Sequence, residues 1–286
     1  MRYHQVNLRA NDSTELFVRQ FVPRETERPH RTLLVVHGTS EHGGRYRHVA
    51  QEAVNRGWEV IIPDLRGHGN SRGVPVHVDD FERYLQDLDT LFQFFELNPT
   101  RTAIIGHSFG GLISARYAET RPTRMAALVL LSPLLGLRVK ISPLSYLLGK
   151  CMTFVAPRTR FHSTVPVEHT TRNERVLRHR QQDKLIHRSI TASWFFEMKS
   201  ALEAVWKEAP EIIVPMLTLQ AGDDQIVEPS AAAPWVAKTS SRDRSFRLLK
   251  GHYHELLNEP DWRETLAHLL SWLETRLPRV MATAEG

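Results

Sequence analysis

The segment Gly106-His107-Ser108-Phe109-Gly110 sets a serine between glycines in the pattern G-x-S-x-G. Composition alone would produce such a string in about 5% of chains like this one, so its setting decides its meaning. Here it closes the apolar run 102–108 and opens GGLISARYAETR, a helix-forming stretch. That is the strand–turn–helix context of a nucleophile elbow. Such a turn imposes strained dihedrals on the serine and needs small residues two before and two after it. It lifts the hydroxyl above a sheet edge, beside a helix N-terminus that favours developing negative charge. The bland alternative is an ordinary glycine-rich strand-to-helix turn.

A serine hydroxyl needs a base to become a nucleophile, and the base needs an acid to orient it. Fifteen histidines make coincidence easy, so position must select. With the nucleophile on an elbow, the partners follow in the order Ser, Asp/Glu, His, in loops after later strands. The apolar run 212–222 leads into Asp223-Asp224-Gln225-Ile226-Val227, and the run 245–251 into His252-Tyr253-His254-Glu255. We assign Asp224 as the acid and His254 as the base. Asp223 is then a turn or capping carboxylate and His252 a structural loop histidine. A metal cluster built from the same residues is disfavoured, because no HExxH or comparable ligand spacing accompanies them. No metal and no organic cofactor is expected.

Acyl transfer also needs donors for the oxyanion. After the first central strand stands His37-Gly38-Thr39-Ser40-Glu41-His42-Gly43-Gly44, a glycine-bearing loop before a helix. The two backbone donors of such a site are the residue after the nucleophile, Phe109, and a residue of this loop, Thr39. Each is typically worth roughly 3 kcal/mol of barrier. His37 reads as a structural hydrogen-bonder, and the string 63–71 (PDLRGHGNS) as scaffold beside the pocket rather than a phosphate loop.

Elements able to hold these residues recur along the chain. The runs 32–38, 58–64, 102–108, 125–132, 212–222 and 245–251 are β-rich, most of them nearly continuous Val/Ile/Leu. That pattern suits parallel strands covered on both faces. Residues 15–22 (ELFVRQFV) read as an antiparallel edge strand. Between the runs, residues 80–97 carry Phe81, Leu85, Leu88, Phe92 and Phe95 on one helical face, and Trp262, Leu266, Leu269 and Leu273 repeat that spacing. Strand–helix alternation implies an α/β sheet with helices on both sides. From about 133 to 209 the rhythm breaks into helical patches, prolines and basic residues, too long for a loop in a compact domain. This stretch is expected to be an inserted helical cap, and the tail after Pro278 to be frayed.

Composition excludes several classes. Of 286 residues, 41% are hydrophobic and 24% charged, so the chain is neither disordered nor fibrous. The formal net charge of +5 is too small and too scattered to argue for nucleic acid. The single cysteine, Cys151, permits no internal disulfide. With no secretion signal in the charged N-terminal stretch, the cytoplasm is the expected compartment. The most apolar stretch, 132–157, is broken by Arg138, Lys140, Lys150 and prolines, where a membrane span needs about 20 mostly apolar residues.

Taken in order, HGTSEHGGRY, PDLRGHGNSRG, GHSFGG, QAGDDQIVEP and GHYHELLNEP resemble the α/β-hydrolase superfamily. Within it they are most similar to the monoacylglycerol lipase and lysophospholipase group, related to the serine aminopeptidase family. The resemblance covers about residues 10–132 and 205–275. It implies Ser108 as nucleophile, Asp224 as acid, His254 as base and Thr39 as an oxyanion donor. It also implies a cap that builds an acyl tunnel and a membrane-facing lip. Residues 141–155 supply apolar side chains for a lip, and Arg158, Arg160, Arg172, Arg175, Arg178 and Arg180 supply basic charge. A solvated helix face is the alternative for these arginines. Asp183-Lys184-Leu185-Ile186-His187 resembles the D-P-L-x-H stretch of the group's caps, with lysine in place of proline.

The expectation is therefore an α/β-hydrolase fold, with a core of residues 1–132 and 205–286 and a helical cap of 133–204. The expected activity is hydrolysis of a carboxylic ester, a monoacylglycerol or lysophospholipid, through an acyl-enzyme. The expected partner is a small-molecule or lipid ester, with peripheral membrane contact through the cap and no nucleic acid; oligomeric state stays open. Aminopeptidase, thioesterase, carbon–carbon bond hydrolase and cofactor-free haloperoxidase activities are rivals on the same fold. A catalytically silent hydrolase-like binding protein is the rival from another class.

Overall fold

The computed structural model describes residues 1–24, 31–138, 143–162 and 166–277. The expectations for the tail after Pro278, for Lys140 and for the start of the 141–155 stretch fall outside these residues. Eight strands form one sheet: β1 (Arg2–Arg9), β2 (Glu15–Val22), β3 (Thr32–Val36), β4 (Glu59–Pro63), β5 (Thr102–His107), β6 (Ala127–Leu131), then β9 (Met216–Ala221) and β10 (Arg244–Leu249). The intervening β7 (Arg160–His162) and β8 (Ser189–Thr191) make a separate antiparallel pair. The sheet order is β1-β2-β4-β3-β5-β6-β9-β10. The β1–β2 and β2–β4 pairings are antiparallel and the rest parallel.

Among the described residues, eight helices accompany the strands: α1 (Arg47–Asn55), α2 (Glu82–Phe94), α3 (Phe109–Thr120), α4 (Pro143–Val155), α5 (Glu174–Gln182), α6 (Ala192–Lys207), α7 (Ala232–Lys238) and α8 (Trp262–Glu274). The central strands are mostly apolar because each face is buried against a different helical layer. On β5, Ile104 enters the core shared with α2, α3 and α6, while Ala103 and Ile105 enter the core shared with α1 and α8. On β6, Leu128 and Leu130 face the first core, and Val129 and Leu131 the second.

One expectation is corrected. Residues 15–22 form an antiparallel strand, but not an edge one: β2 pairs with β4 on one side and along its whole length with β1 on the other. The edge is β1, RYHQVNLR, where polar residues face solvent on an outermost strand and hide the pattern. Between β6 and β9 the chain runs through α4, β7, α5, β8 and α6. Trp194, Met198, Ala201 and Val205 of α6 pack into the core beside α3.

Parallel register aligns the carboxyl ends that matter. Val36 lies opposite Gly106, His107 opposite Leu131, and Leu131 opposite Leu219. The turns leaving β3, β5, β9 and β10 thus open on one side of the sheet, where open α/β sheets place their ligands.

Candidate active site

Ser108 stands in the one-residue turn between β5 and α3 with φ 53° and ψ −117°. A positive φ costs any residue with a Cβ, so the surroundings must enforce it. They do so through the backbone: Ser108 N–H donates to Leu131 O (3.1 Å), and Ser108 O accepts from Leu112 N (3.1 Å) and Leu134 N (3.0 Å). A Cβ at Gly106 would sit 2.5 Å from Gly110 O and Ser114 Oγ, and one at Gly110 would enter the carbonyl oxygens of Val36 and His37. The two glycines are required by close packing of α3 on the sheet.

Asp224 and His254 meet across the turns after β9 and β10. His254 Nδ1 lies 2.7 Å from Asp224 Oδ2, so Nδ1–H donates to the carboxylate and Nε2 is left for other work. Asp224 is fully buried. Its Oδ1 accepts from Ile226 N (2.9 Å) and Val227 N (3.1 Å), which fixes the carboxylate plane. Burial alone would raise its pKa, but the His254 ring and these two N–H groups hold it below the ordinary carboxylate range. Arg138 donates to the Asp224 carbonyl and pins the same turn.

Their neighbours in sequence are turned elsewhere. Asp223 is exposed, its N–H donating to His252 O (3.0 Å). His252 Nε2 is 2.9 Å from Asp261 Oδ2 and its Nδ1–H donates to Lys250 O (3.1 Å). The structure thus brings the side chains of Asp224 and His254 together, whereas Asp223 and His252 meet through their backbones. No hydrogen bond joins Ser108 Oγ to His254 among the described residues. The His107 ring packs against His254, with centroids 4.8 Å apart. A contact between a nucleophile and its base often closes only with substrate bound.

The loop after β3 backs directly onto the elbow, since a Cβ on Gly38 would lie 3.2 Å from Ser108 Cβ. His37 is buried with both ring nitrogens used: Nδ1–H donates to Gly38 O (2.8 Å) and Nε2 accepts from Leu65 N (2.9 Å). Desolvation keeps it neutral by lowering its pKa. Asp64, at the end of β4, is buried and accepts from Arg19 Nη1 (2.5 Å), Gly43 N (2.7 Å) and Asn70 N (2.8 Å), tying this loop to its neighbour. The N–H groups of Thr39 and Phe109 take no part in the turn, loop or cap hydrogen bonds among the described residues.

Sequence reasoning missed the charges beneath this loop. Glu41 accepts from Gly38 N (2.7 Å), Tyr46 Oη (2.9 Å) and Arg45. Arg45 continues to Glu255, donating from Nη2 (2.6 Å) and Nη1 (3.0 Å), and Arg180 of α5 reaches the same carboxylate at 2.8 Å. Burial would push both carboxyls up. Arg45 instead holds Glu41 far below its ordinary range, and Arg45 with Arg180 hold Glu255 at about 2. The network joins the loop after β3, the residue following His254, and the segment between β6 and β9. Glu41 and Arg45 stand four apart inside EHGGRY, a local signal; nothing local marks Arg180. His187 N–H adds a second tie from that segment, donating to Ser40 O (2.9 Å).

Comparison with known proteins gives one answer. Residues 27–261 match the family described as serine aminopeptidase, S33. Monoglyceride lipase from Rattus norvegicus is 30% identical over 285 residues, covering 96% of this chain and 90% of the relative. Phospholipase YtpA from Bacillus subtilis is 29% identical over 239 residues, covering 83% and 92%. The crystal structure of Paleococcus ferrophilus monoacylglycerol lipase superposes with a TM-score of 0.84 at 27% identity, over 92% of this chain and 99% of that one.

Proposed function

The chain belongs to the serine aminopeptidase (S33) family and is an ester-hydrolysing serine hydrolase of the lipase and lysophospholipase kind, and from that premise we propose how it works and on what. Ser108 Oγ attacks the ester carbonyl carbon while His254 Nε2 takes its proton. Asp224 holds the imidazole in the Nδ1–H tautomer and stabilises its cation. The N–H groups of Thr39 and Phe109 receive the oxyanion. Collapse of the tetrahedral intermediate breaks the C–O bond, His254 returns the proton to the leaving alcohol, and an acyl-Ser108 ester remains. Water deprotonated by His254 then releases the fatty acid. The observation carrying this reading is the 2.7 Å His254–Asp224 hydrogen bond on the sheet edge that also presents a strained Ser108.

The substrate is a monoacylglycerol or a lysophospholipid, supported by the named relatives. Residues 133–204 act as the cap over a core of 1–132 and 205–286, with α6 spanning the later junction. The enzyme works in the cytoplasm and touches lipid surfaces transiently through α4. Leu147 (60% exposed) and Phe154 (82%), like Leu148 and Val155, are two turns apart on that helix and so share a face. Tyr146 and Gly149 point the other way, against Phe196 of α6.

A fluorophosphonate probe should label the wild type and not Ser108→Ala. On a panel of monoacylglycerols, lysophospholipids, p-nitrophenyl esters and aminoacyl anilides, kcat/KM should be highest for one of the two lipid classes. Turnover confined to aminoacyl anilides would overturn the substrate assignment.

A further inference from the structure

On the far side of the buried charge network lies a cleft of about 540 Å³ between α5, α1 and the start of α8. Ser108, Asp224 and His254 do not line it. Its inner wall includes Arg45 and Arg180, whose side chains are 8% and 14% exposed and share Glu255. Its outer wall carries Arg175, His179 and Arg263.

The charge is unevenly met. Glu41 and Glu255 offset Arg45 and Arg180. Asp183, the carboxylate in the lining, is already engaged by His42 Nε2 (2.8 Å) and Leu185 N (2.9 Å). Among the described residues, the carboxylate Arg263 reaches is Glu52 at 3.4 Å, an exposed contact of the kind that contributes little. The Arg175 guanidinium has no hydrogen bond or ion pair among the described residues. The charge left unmatched is therefore positive and sits at the rim, on Arg175 and the weakly paired Arg263, in front of the fixed and already paired Arg45 and Arg180. Trp262 adds a shelf: the His48 ring meets it edge-on at 4.4 Å, and Arg263 lies 4.6 Å over its face.

We propose that this cleft binds a phosphate-bearing small molecule. Arg175 and Arg263 meet the phosphate from the rim, with the guanidinium groups of Arg45 and Arg180 behind them, and the organic part lies along Trp262. Guanidinium forks match phosphate oxygens in pairs, whereas a neutral ligand would leave these donors unmet. The phosphate can belong to the headgroup of an ester substrate or to a free phosphate ester, and the two sources are separable by experiment.

Glycerol 3-phosphate is titrated by calorimetry into the wild type and into Arg175→Glu/Arg263→Glu and Arg175→Gln/Arg263→Gln, each checked for fold by circular dichroism. Saturable binding by the wild type, weakened about tenfold or more in both double variants, is expected. The second arm compares KM for a lysophosphatidate and for a monoacylglycerol of the same acyl chain. A headgroup source predicts a KM increase of about fivefold or more in the double variants for the lysophosphatidate alone. A free ester predicts both KM values unmoved while the binding difference persists. No saturable wild-type binding below about 10 mM, or equal binding by wild type and both variants, overturns the assignment. The binding arm does not pass through Ser108, so failure of the proposed hydrolysis would leave its outcome readable.

Discussion

Ser108 is held at φ 53° by three backbone hydrogen bonds and two glycines, and that enforcement separates two effects of changing it. Ser108→Ala and His254→Ala should each lower kcat by roughly 10⁴–10⁶-fold on a p-nitrophenyl ester, and Asp224→Asn by somewhat less, because the three act as one unit. Asp223→Asn and His252→Ala should cost less than about tenfold, since neither side chain touches the pair. If Asp223→Asn inactivates and Asp224→Asn does not, the acid has been misassigned. Ser108→Gly should abolish activity yet raise the melting temperature by about 2 °C, because glycine accepts the positive φ that serine resists. The proposed nucleophile, acid and base can be picked from the sequence because each stands at or just beyond the end of an apolar run, and strand ends are where such groups sit. The Arg45–Glu255 contact escapes that logic: its partners are 210 residues apart and no local pattern encodes it, whereas Glu41 and Arg45 at least stand four apart.

At the scale of elements, the loop after β3 is braced from below by Arg45, which bridges the carboxylates of Glu41 and Glu255. Arg45→Met would leave two buried carboxylates short of a partner, at a cost of about 3–5 kcal/mol and a fall in melting temperature of about 10 °C by scanning calorimetry. Arg180→Met should cost less, because Glu255 keeps Arg45. A drop for Arg45→Met no larger than for the exposed Arg178→Met would show the bridge to be dispensable. The arginines of residues 158–180 also divide here. Arg172 donates from Nε to Glu259 (2.5 Å) and Arg180 is buried on Glu255, so a solvated face describes only some of them. Sequence alone could not sort them, because the carboxylates they meet lie in the last third of the chain. For α4, the shared face of Leu147 and Phe154 predicts that Phe154→Asp weakens cosedimentation with anionic vesicles while melting as the wild type does. Equal cosedimentation would remove α4 from the lipid contact.

For the whole molecule, acid is the expected weakness. Burial lowers the pKa of His68 to about 3 and of His107 to about 4, with neighbouring histidines pushing the same way. The unfolded chain takes up protons below about pH 6.5 that these folded sites refuse. Their contribution is therefore complete above that pH and is lost as pH falls toward 4. Glu41 and Glu255 act lower: their depressed pKa values add stability above about pH 4.5 that disappears as pH falls toward 2. Through these four groups the melting temperature should decline as pH falls from 6.5 and steepen below 4.5. His107→Gln should flatten the decline between pH 6.5 and 4; an unchanged slope would mean that the His107 environment contributes nothing to it.

The Arg45–Glu255 bridge also carries a consequence in time. At about 5–20 residues per second, a ribosome that has just made Arg45 needs roughly 10–40 s more to reach Glu255, and longer to clear it from the exit tunnel. Once Ser108 has followed, 63 residues after Arg45, the growing chain owns its proposed nucleophile, yet the loop beside it has no brace and the proposed base has not been made. The enzyme is thus born unarmed, and competence arrives only after Glu255 has been made.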